Sequence, residues 1–177
     1  MKTYVIVCAA LAVLISGCSG SHSARRQIST NEMVEAFTTV IQKQGSSFSL
    51  DAAAKPKRTS IEMAKWLNNH PQPRVPAKAN HPKGGPGCDS LKNPTRFINY
   101  IPRDVKAAII ISQSKPWAFA RYDIDDRGKA YNIRPIKSSG YKEFADASLL
   151  TVALWSYAGQ PEAYGLKNCV GLVQVAD

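Results

Sequence analysis

The strongest constraint on the fold lies in residues 117–137, where two runs of alternating side chains flank a turn sequence. The residues between the runs are Asp125-Asp126-Arg127-Gly128, and glycine at the last position permits a positive φ. Such a pattern predicts a β-hairpin. The alternating positions expected to share one face are Phe119, Arg121, Asp123, Tyr131, Ile133 and Pro135.

The residues after this hairpin predict a helix and a further strand. Ser138-Ser139-Gly140 ends the second run, and an apolar stretch then extends from Phe144 to Trp155. Its composition predicts a largely buried helix of about 13 residues. Gly159 and Pro161 end that helix, and residues 169–175 predict a last strand. We therefore expect an α+β fold with a ββαβ core, in which a small antiparallel sheet of about three strands packs on helices.

The order and sequence of these elements resemble the C-terminal domain of TonB-type periplasmic proteins, over residues 100–177. That family has an Ile-Asp-x-x-Gly hairpin, a second strand that ends in Ser-Ser-Gly, and a helix that ends in paired aromatic residues. The matching residues here are Tyr122-Asp123-Ile124-Asp125, Gly128, Ser138-Ser139-Gly140, Phe144, Asp146, Leu149-Leu150, Trp155-Ser156-Tyr157 and Gly165.

The resemblance implies a binding mode. TonB-like domains take an extended receptor peptide as an additional strand beside their last strand, and exposed sheet edges suit such pairing in general. In this chain the implied partner-binding residues are Val170, Gly171, Leu172, Val173, Gln174 and Val175. The expected partner is an envelope protein or a receptor peptide.

The N-terminus predicts export and lipid anchoring. Lys2 precedes an apolar run from Tyr4 to Ile15, which is the layout of a signal peptide. The run ends in Ile15-Ser16-Gly17-Cys18, which resembles a bacterial lipobox, so Cys18 would carry the lipid that holds the protein on a membrane. Ser19 favours the outer membrane. A cleaved signal followed by a free cysteine, or an uncleaved short anchor, are the alternatives.

The anchor also separates this chain from the standard TonB transducers, which keep an N-terminal membrane helix.

With Cys8 removed and Cys18 lipidated, Cys88 and Cys169 remain as a pair in an oxidising compartment. We expect a disulfide between them.

The region between anchor and domain predicts two helices and an arm. Ser29 with Glu32 starts the first helix, which ends near residue 44, and Thr59 with Glu62 starts the second, which ends near residue 69. The arm has six prolines, which favour extended backbone. The expected divisions are 1–17 signal peptide, 18–28 spacer, 29–69 helical extension, 70–99 Pro/Gly-rich basic arm and 100–177 TonB-like domain.

Net charge bears on the partner class. The chain has 23 Lys+Arg and 13 Asp+Glu, a formal net charge of +10. Residues 19–100 contain 12 basic and 5 acidic residues, so most of the excess lies before the domain. Nucleic acid is a poor partner for an exported chain. The basic arm is either a solvated linker or lies near anionic surfaces.

No motif indicates catalysis, a metal or a cofactor. His70 and His81 lack the spacing of metal ligands. Asp123, Asp125 and Asp126 form a carboxylate cluster that the hairpin turn explains. We expect a binding or adaptor protein, without enzymatic activity, cofactor or metal. The alternative is a lipoprotein subunit of a secretion or conjugation machine.

Overall fold

The computed structural model describes residues 56–95 and 100–175. Within these ranges the chain forms three α-helices, three β-strands and three short 3₁₀ helices. The helices and strands are α1 (Ser60–Asn69), α2 (Arg103–Ser112), β1 (Trp117–Ile124), β2 (Ala130–Ser138), α3 (Lys142–Ala153) and β3 (Cys169–Gln174). The 3₁₀ helices are Lys78–Asn80, Cys88–Ser90 and Pro161–Ala163. The predicted α+β class and the ββαβ order are confirmed.

A capping box starts α1, as the sequence predicted. The Thr59 hydroxyl accepts a hydrogen bond from the N–H of Glu62, and the Glu62 carboxylate accepts one from the N–H of Thr59 (N···O 2.8 Å). These bonds satisfy two of the N–H groups that a helix start leaves without partners. The earlier predicted helix, near residues 29–44, lies outside the described residues.

The sheet has the strand order β2-β1-β3, with both neighbours antiparallel to the central β1. The Asp125 carboxylate closes the β1–β2 turn by accepting hydrogen bonds from the N–H groups of Arg127 and Lys129, at 2.9 and 2.7 Å. Gly128 has φ +76°, and a methyl group there would lie 2.8 Å from the carbonyl carbon of Tyr157. Glycine is therefore required by both the turn and the neighbouring chain.

One detail of the predicted hairpin is wrong. The register shifts between Arg121 and Asp123, where Asn132 takes a left-handed φ of +51°. Because a single extra residue reverses the faces of a strand, Tyr131 lies opposite Asp123 as predicted, whereas Ile133 is fully buried in the main core and Pro135 lies opposite Ala120, both on the other face of the sheet. The alternating pattern of the sequence contains no signal for this bulge.

The core lies between the sheet and its helices. α3 packs on one face of the sheet, where Ala118, Ala120, Tyr122 and Ile124 meet buried side chains such as Phe144. α1 and α2 pack on each other, and Tyr141 joins them to this core. Its hydroxyl donates a hydrogen bond to the sulfur of Met63 (3.1 Å), and its ring stacks on Trp66.

The Pro-rich arm crosses the opposite face of the sheet. The indole N–H of Trp117 donates a hydrogen bond to the carbonyl of Pro73 (2.7 Å), and the His81 ring packs edge-on against Phe119, with 4.9 Å between centroids. Beyond Cys88 the arm continues on the α3 side of the sheet, where the Thr95 hydroxyl donates a hydrogen bond to the carbonyl of Ala158 (2.8 Å). With α3 on one face and the arm on the other, every residue of β1 except Arg121 is buried. The described part of the arm is thus a packed layer of the domain.

Candidate functional site

The candidate site is the outer edge of β3, which contains the residues that the resemblance implied. Val175 donates its N–H to the carbonyl of Pro116, and Ile124 donates its own to the carbonyl of Leu166. Because antiparallel bonding alternates along a strand, the backbone groups of Gly171 and Val173 face β1. Those of Val170, Leu172 and Gln174 point away from the sheet, and no hydrogen bond joins them to another described backbone group.

The side chains of these residues also divide between the two faces. Val170, Leu172 and Gln174 lie opposite Arg121, Phe119 and Trp117 of β1, on the face that the arm covers. Gly171 and Val173 are buried against the α3 layer. The six predicted positions therefore include three with pairing groups available to a partner. We name the outward backbone groups of Val170, Leu172 and Gln174 the β3 edge.

The opposite edge of the sheet is protected against strand pairing. β2 has Pro135, which lacks an N–H, and the exposed charged side chains of Arg134 and Lys137. Two register shifts also interrupt its pairing with β1. β3 has neither proline nor a charged residue, and its register with β1 is regular over all six residue pairs. Proline, charge and bulges are the usual means of blocking an edge, so β3 is the edge left able to pair.

The arm borders one end of the β3 edge. Cys88 and Cys169 form a disulfide with a Cα–Cα distance of 5.3 Å, which confirms the predicted pair. The N–H of Gly85 donates to the carbonyl of Asn168 (3.0 Å). A methyl group on Gly84 would lie 3.8 Å from the backbone nitrogen of Val170. A pairing segment would therefore find more room at Leu172 and Gln174 than at Val170.

A cavity of about 290 Å³, which we name the basic cavity, opens on the arm side of the β3 edge. Phe119, Val170 and Leu172 supply its apolar lining, and the arm supplies two positive charges, Lys78 and Lys83, and one negative charge, Asp89. The sequence predicts a basic arm at residues 70–99 but contains no signal that places these two lysines beside β3.

A second cavity, of about 220 Å³, lies on the helix side of the same edge and is lined by Tyr122, Trp155, Tyr157 and Leu172. The hydroxyls of Tyr122 and Tyr157 are 2.5 Å apart and share a hydrogen bond. Burial raises the pKa of both tyrosines, so the two hydroxyls stay neutral at any physiological pH. We name this space the tyrosine cavity.

A third cavity, of about 490 Å³, lies at the Gln174 end of the β3 edge. Arg74 and Val75 of the arm line it together with Gln174 and Val175. The three cavities thus follow the length of β3, and the arm forms a wall of each.

The carboxylates of the hairpin have structural partners. Asp123 accepts hydrogen bonds from the N–H of Asn168 (2.8 Å) and the side-chain amide of Asn132 (2.9 Å), and so ties β1 to its neighbours on both sides. Burial opposes ionisation of Asp123, but these bonds and the nearby Lys167 outweigh it and hold its pKa below the usual value. No group of three or more potential metal ligands occurs in the described part of the chain.

The predicted lipidation site, Cys18, lies outside the described residues, as does the signal peptide. Between residues 56 and 175, apart from the undescribed 96–99, no helix combines the length and the hydrophobicity that crossing a bilayer requires.

Comparison with known proteins gave a single structural match. No protein-family model and no curated protein matches the chain. Among solved structures, this chain is similar to a structure titled "Molecular characterization of the TonB2 protein from Vibrio anguillarum", with 18% sequence identity and a TM-score of 0.39. The match covers 61% of this chain and 99% of that chain. A likeness this distant does not establish a function.

Proposed function

We propose that this chain is a lipid-anchored binding protein of the cell envelope, which captures an extended segment of a partner protein as a fourth strand beside β3. The proposal rests on the difference between the two sheet edges. β2 is blocked by Pro135, by charged side chains and by register shifts, whereas β3 presents regular, uncharged backbone.

Strand addition uses main-chain hydrogen bonds for affinity and pockets beside the strand for side-chain selection. β3 fits both requirements, since Leu172 and Gln174 direct N–H and C=O groups outward and cavities flank the strand on both faces. The sequence resemblance to TonB-type domains, which bind peptides at their last strand, supports the same edge.

We propose a binding role without catalysis. Both carboxylate oxygens of Asp123 accept hydrogen bonds, from the side chain of Asn132 and the N–H of Asn168, and one oxygen of Asp125 accepts two from backbone N–H groups of the turn. These bonds account for their positions without a substrate.

The anchor in this proposal is the lipid on Cys18. Cys18→Ser should release the protein from the membrane fraction and remove the acyl mass, and unchanged fractionation and mass would contradict the anchor.

Site-specific photocrosslinking tests the capture. A benzophenone side chain at Gln174, introduced in cells, should crosslink to an envelope protein, whereas the same group at Ile136 on β2 should not. Leu172→Pro removes an outward N–H without removing a bond to β1, so it should abolish the crosslink at Gln174 and leave the fold intact.

Val173→Pro is the matched control, because that N–H faces β1 and its loss disturbs the sheet itself. Circular dichroism and thermal unfolding separate the two variants. A crosslink at Gln174 that survives Leu172→Pro in a folded protein would exclude strand addition at β3.

A further inference from the structure

We infer that the segment captured at the β3 edge is acidic on alternate residues, with its carboxylates directed into the basic cavity. This inference rests on the proposed strand addition and specifies the chemistry of the partner.

The described charges beside β3 are almost all positive. Lys78 and Lys83 line the basic cavity, Lys92 lines the tyrosine cavity, and Arg74 lines the cavity at the Gln174 end. No ion pair joins any of these four side chains to a carboxylate of the described residues. Among the described residues that line the three cavities, the one acidic side chain is Asp89, which lines the basic cavity together with the two lysines and leaves it net positive.

More of the positive charge lies on the arm face of the strand, where Lys78, Lys83 and Arg74 outnumber Asp89, whereas Lys92 is the one described charged side chain that lines the tyrosine cavity. Side chains of an added strand alternate between the two faces of a sheet. Those on the arm face would enter the basic cavity, where Lys78 and Lys83 stand over Phe119 and Leu172. Those on the other face would meet neutral tyrosine hydroxyls, the Trp155 ring and the single cation of Lys92. The complementary segment is therefore acidic at the alternate positions that face the more positive side, and the positions between them meet mainly neutral groups.

The shape of the site favours a peptide over a membrane surface. The two lysines of the basic cavity lie beside outward backbone groups of β3, in a concave space of about 290 Å³. A single extended chain can enter this space and pair with the strand at the same time. A lipid bilayer is broad and has no backbone to pair with Leu172.

Three synthetic peptides as long as β3 test the inference, with valine alternating with glutamate, glutamine or lysine. Their binding to the full-length protein in detergent is measured by fluorescence anisotropy. Amide exchange at Leu172 and Gln174 reports strand addition. The glutamate peptide should bind about tenfold more tightly than the glutamine peptide, and the difference should shrink as salt rises.

Charge-removing variants locate the effect. Lys78→Gln with Lys83→Gln should bring the glutamate peptide down to the affinity of the glutamine peptide. Lys106→Gln with Lys137→Gln is the matched control, because both residues are exposed lysines that line none of the three cavities, and it should change nothing.

The remaining outcomes contradict the inference in distinguishable ways. Equal binding of the glutamate and glutamine peptides, with both protecting Leu172, would overturn the acidic preference and leave strand addition intact. Failure of all three peptides to protect Leu172 would overturn both. Binding of phosphatidylglycerol vesicles through Lys78 and Lys83, without peptide binding, would assign the cations to the membrane instead.

Discussion

Removing the Cys88–Cys169 disulfide should cost stability and loosen the arm. The bond joins residues 81 positions apart. In the chain-entropy model, closing a loop of this length restricts the unfolded chain by about 4.5 kcal/mol at 25 °C. Cys88→Ala with Cys169→Ala should therefore lower the free energy of unfolding by about 3–5 kcal/mol, since alanine also leaves a small gap at the fully buried Cys169.

The assay is denaturant unfolding of three samples, namely the oxidised protein, the same protein held reduced, and the double alanine variant. The reduced protein loses the bond but keeps both sulfur atoms, so its difference from the variant isolates the packing contribution at Cys169. Hydrogen exchange adds a local measurement, because the N–H of Gly85 bonds to the carbonyl of Asn168 one residue from the disulfide. That amide should lose more protection than the amides of α1, which are affected only through the lower global stability.

Two results would refute this reasoning. A stability loss below about 1 kcal/mol with Gly85 still protected would mean that the contacts of Trp117 and Phe119 with the arm, rather than the covalent bond, hold it against the sheet. Free thiols at both cysteines in peptide mapping of the purified protein would remove the bond altogether.

Two further predictions concern β3 and its neighbours. Gly171→Ala should destabilise the protein by about 1–3 kcal/mol, because the added methyl group would lie 2.4 Å from the buried ring of Trp155. Adding Trp155→Phe to this variant should restore part of the lost stability in thermal unfolding. Full stability of Gly171→Ala would contradict the packing. Because the pKa of Asp123 is lowered in the folded protein, its ionisation should stabilise the native state above about pH 4, and this stabilisation should be lost as pH falls through the folded-state pKa. Asp123→Asn should therefore flatten the acid limb of a curve of stability against pH. An unchanged acid limb would show that other groups control it.

Local signals in the sequence predicted most of the fold because each depends on neighbouring residues alone. The Thr59–Glu62 capping box, the glycine of the hairpin turn and the apolar run of α3 are signals of this kind. The bulge at Asn132 was not predictable, because its left-handed backbone depends on tertiary bonds. The Asn132 side chain reaches Asp123, a contact across the hairpin that no sequence pattern contains.

The sequence of β1 contained a signal that the arm packs on the sheet, but the proline content of the arm favoured a spacer instead. Proline removes N–H groups and excludes regular elements, which favours a spacer interpretation. β1, however, has Trp117 and Phe119 on one face and Tyr122 and Ile124 on the other, so both faces needed an apolar cover. One helix covers one face, and an extended arm can cover the second without pairing to it. The arm therefore contributes to the core despite its composition.

The candidate site follows from that second layer. The TonB-like pattern of residues 100–177 predicts an edge strand, but an edge alone selects no partner because every protein backbone can pair with it. Selectivity comes from groups beside the edge, and Lys78 and Lys83 belong to a segment about 90 residues from β3 in the sequence. The disulfide brings that segment to the strand and holds its charges there. A variant that loses the bond but keeps its fold should thus still add a strand at Leu172 while discriminating less between acidic and neutral peptides. Unchanged discrimination would mean that the arm positions its lysines without the covalent link.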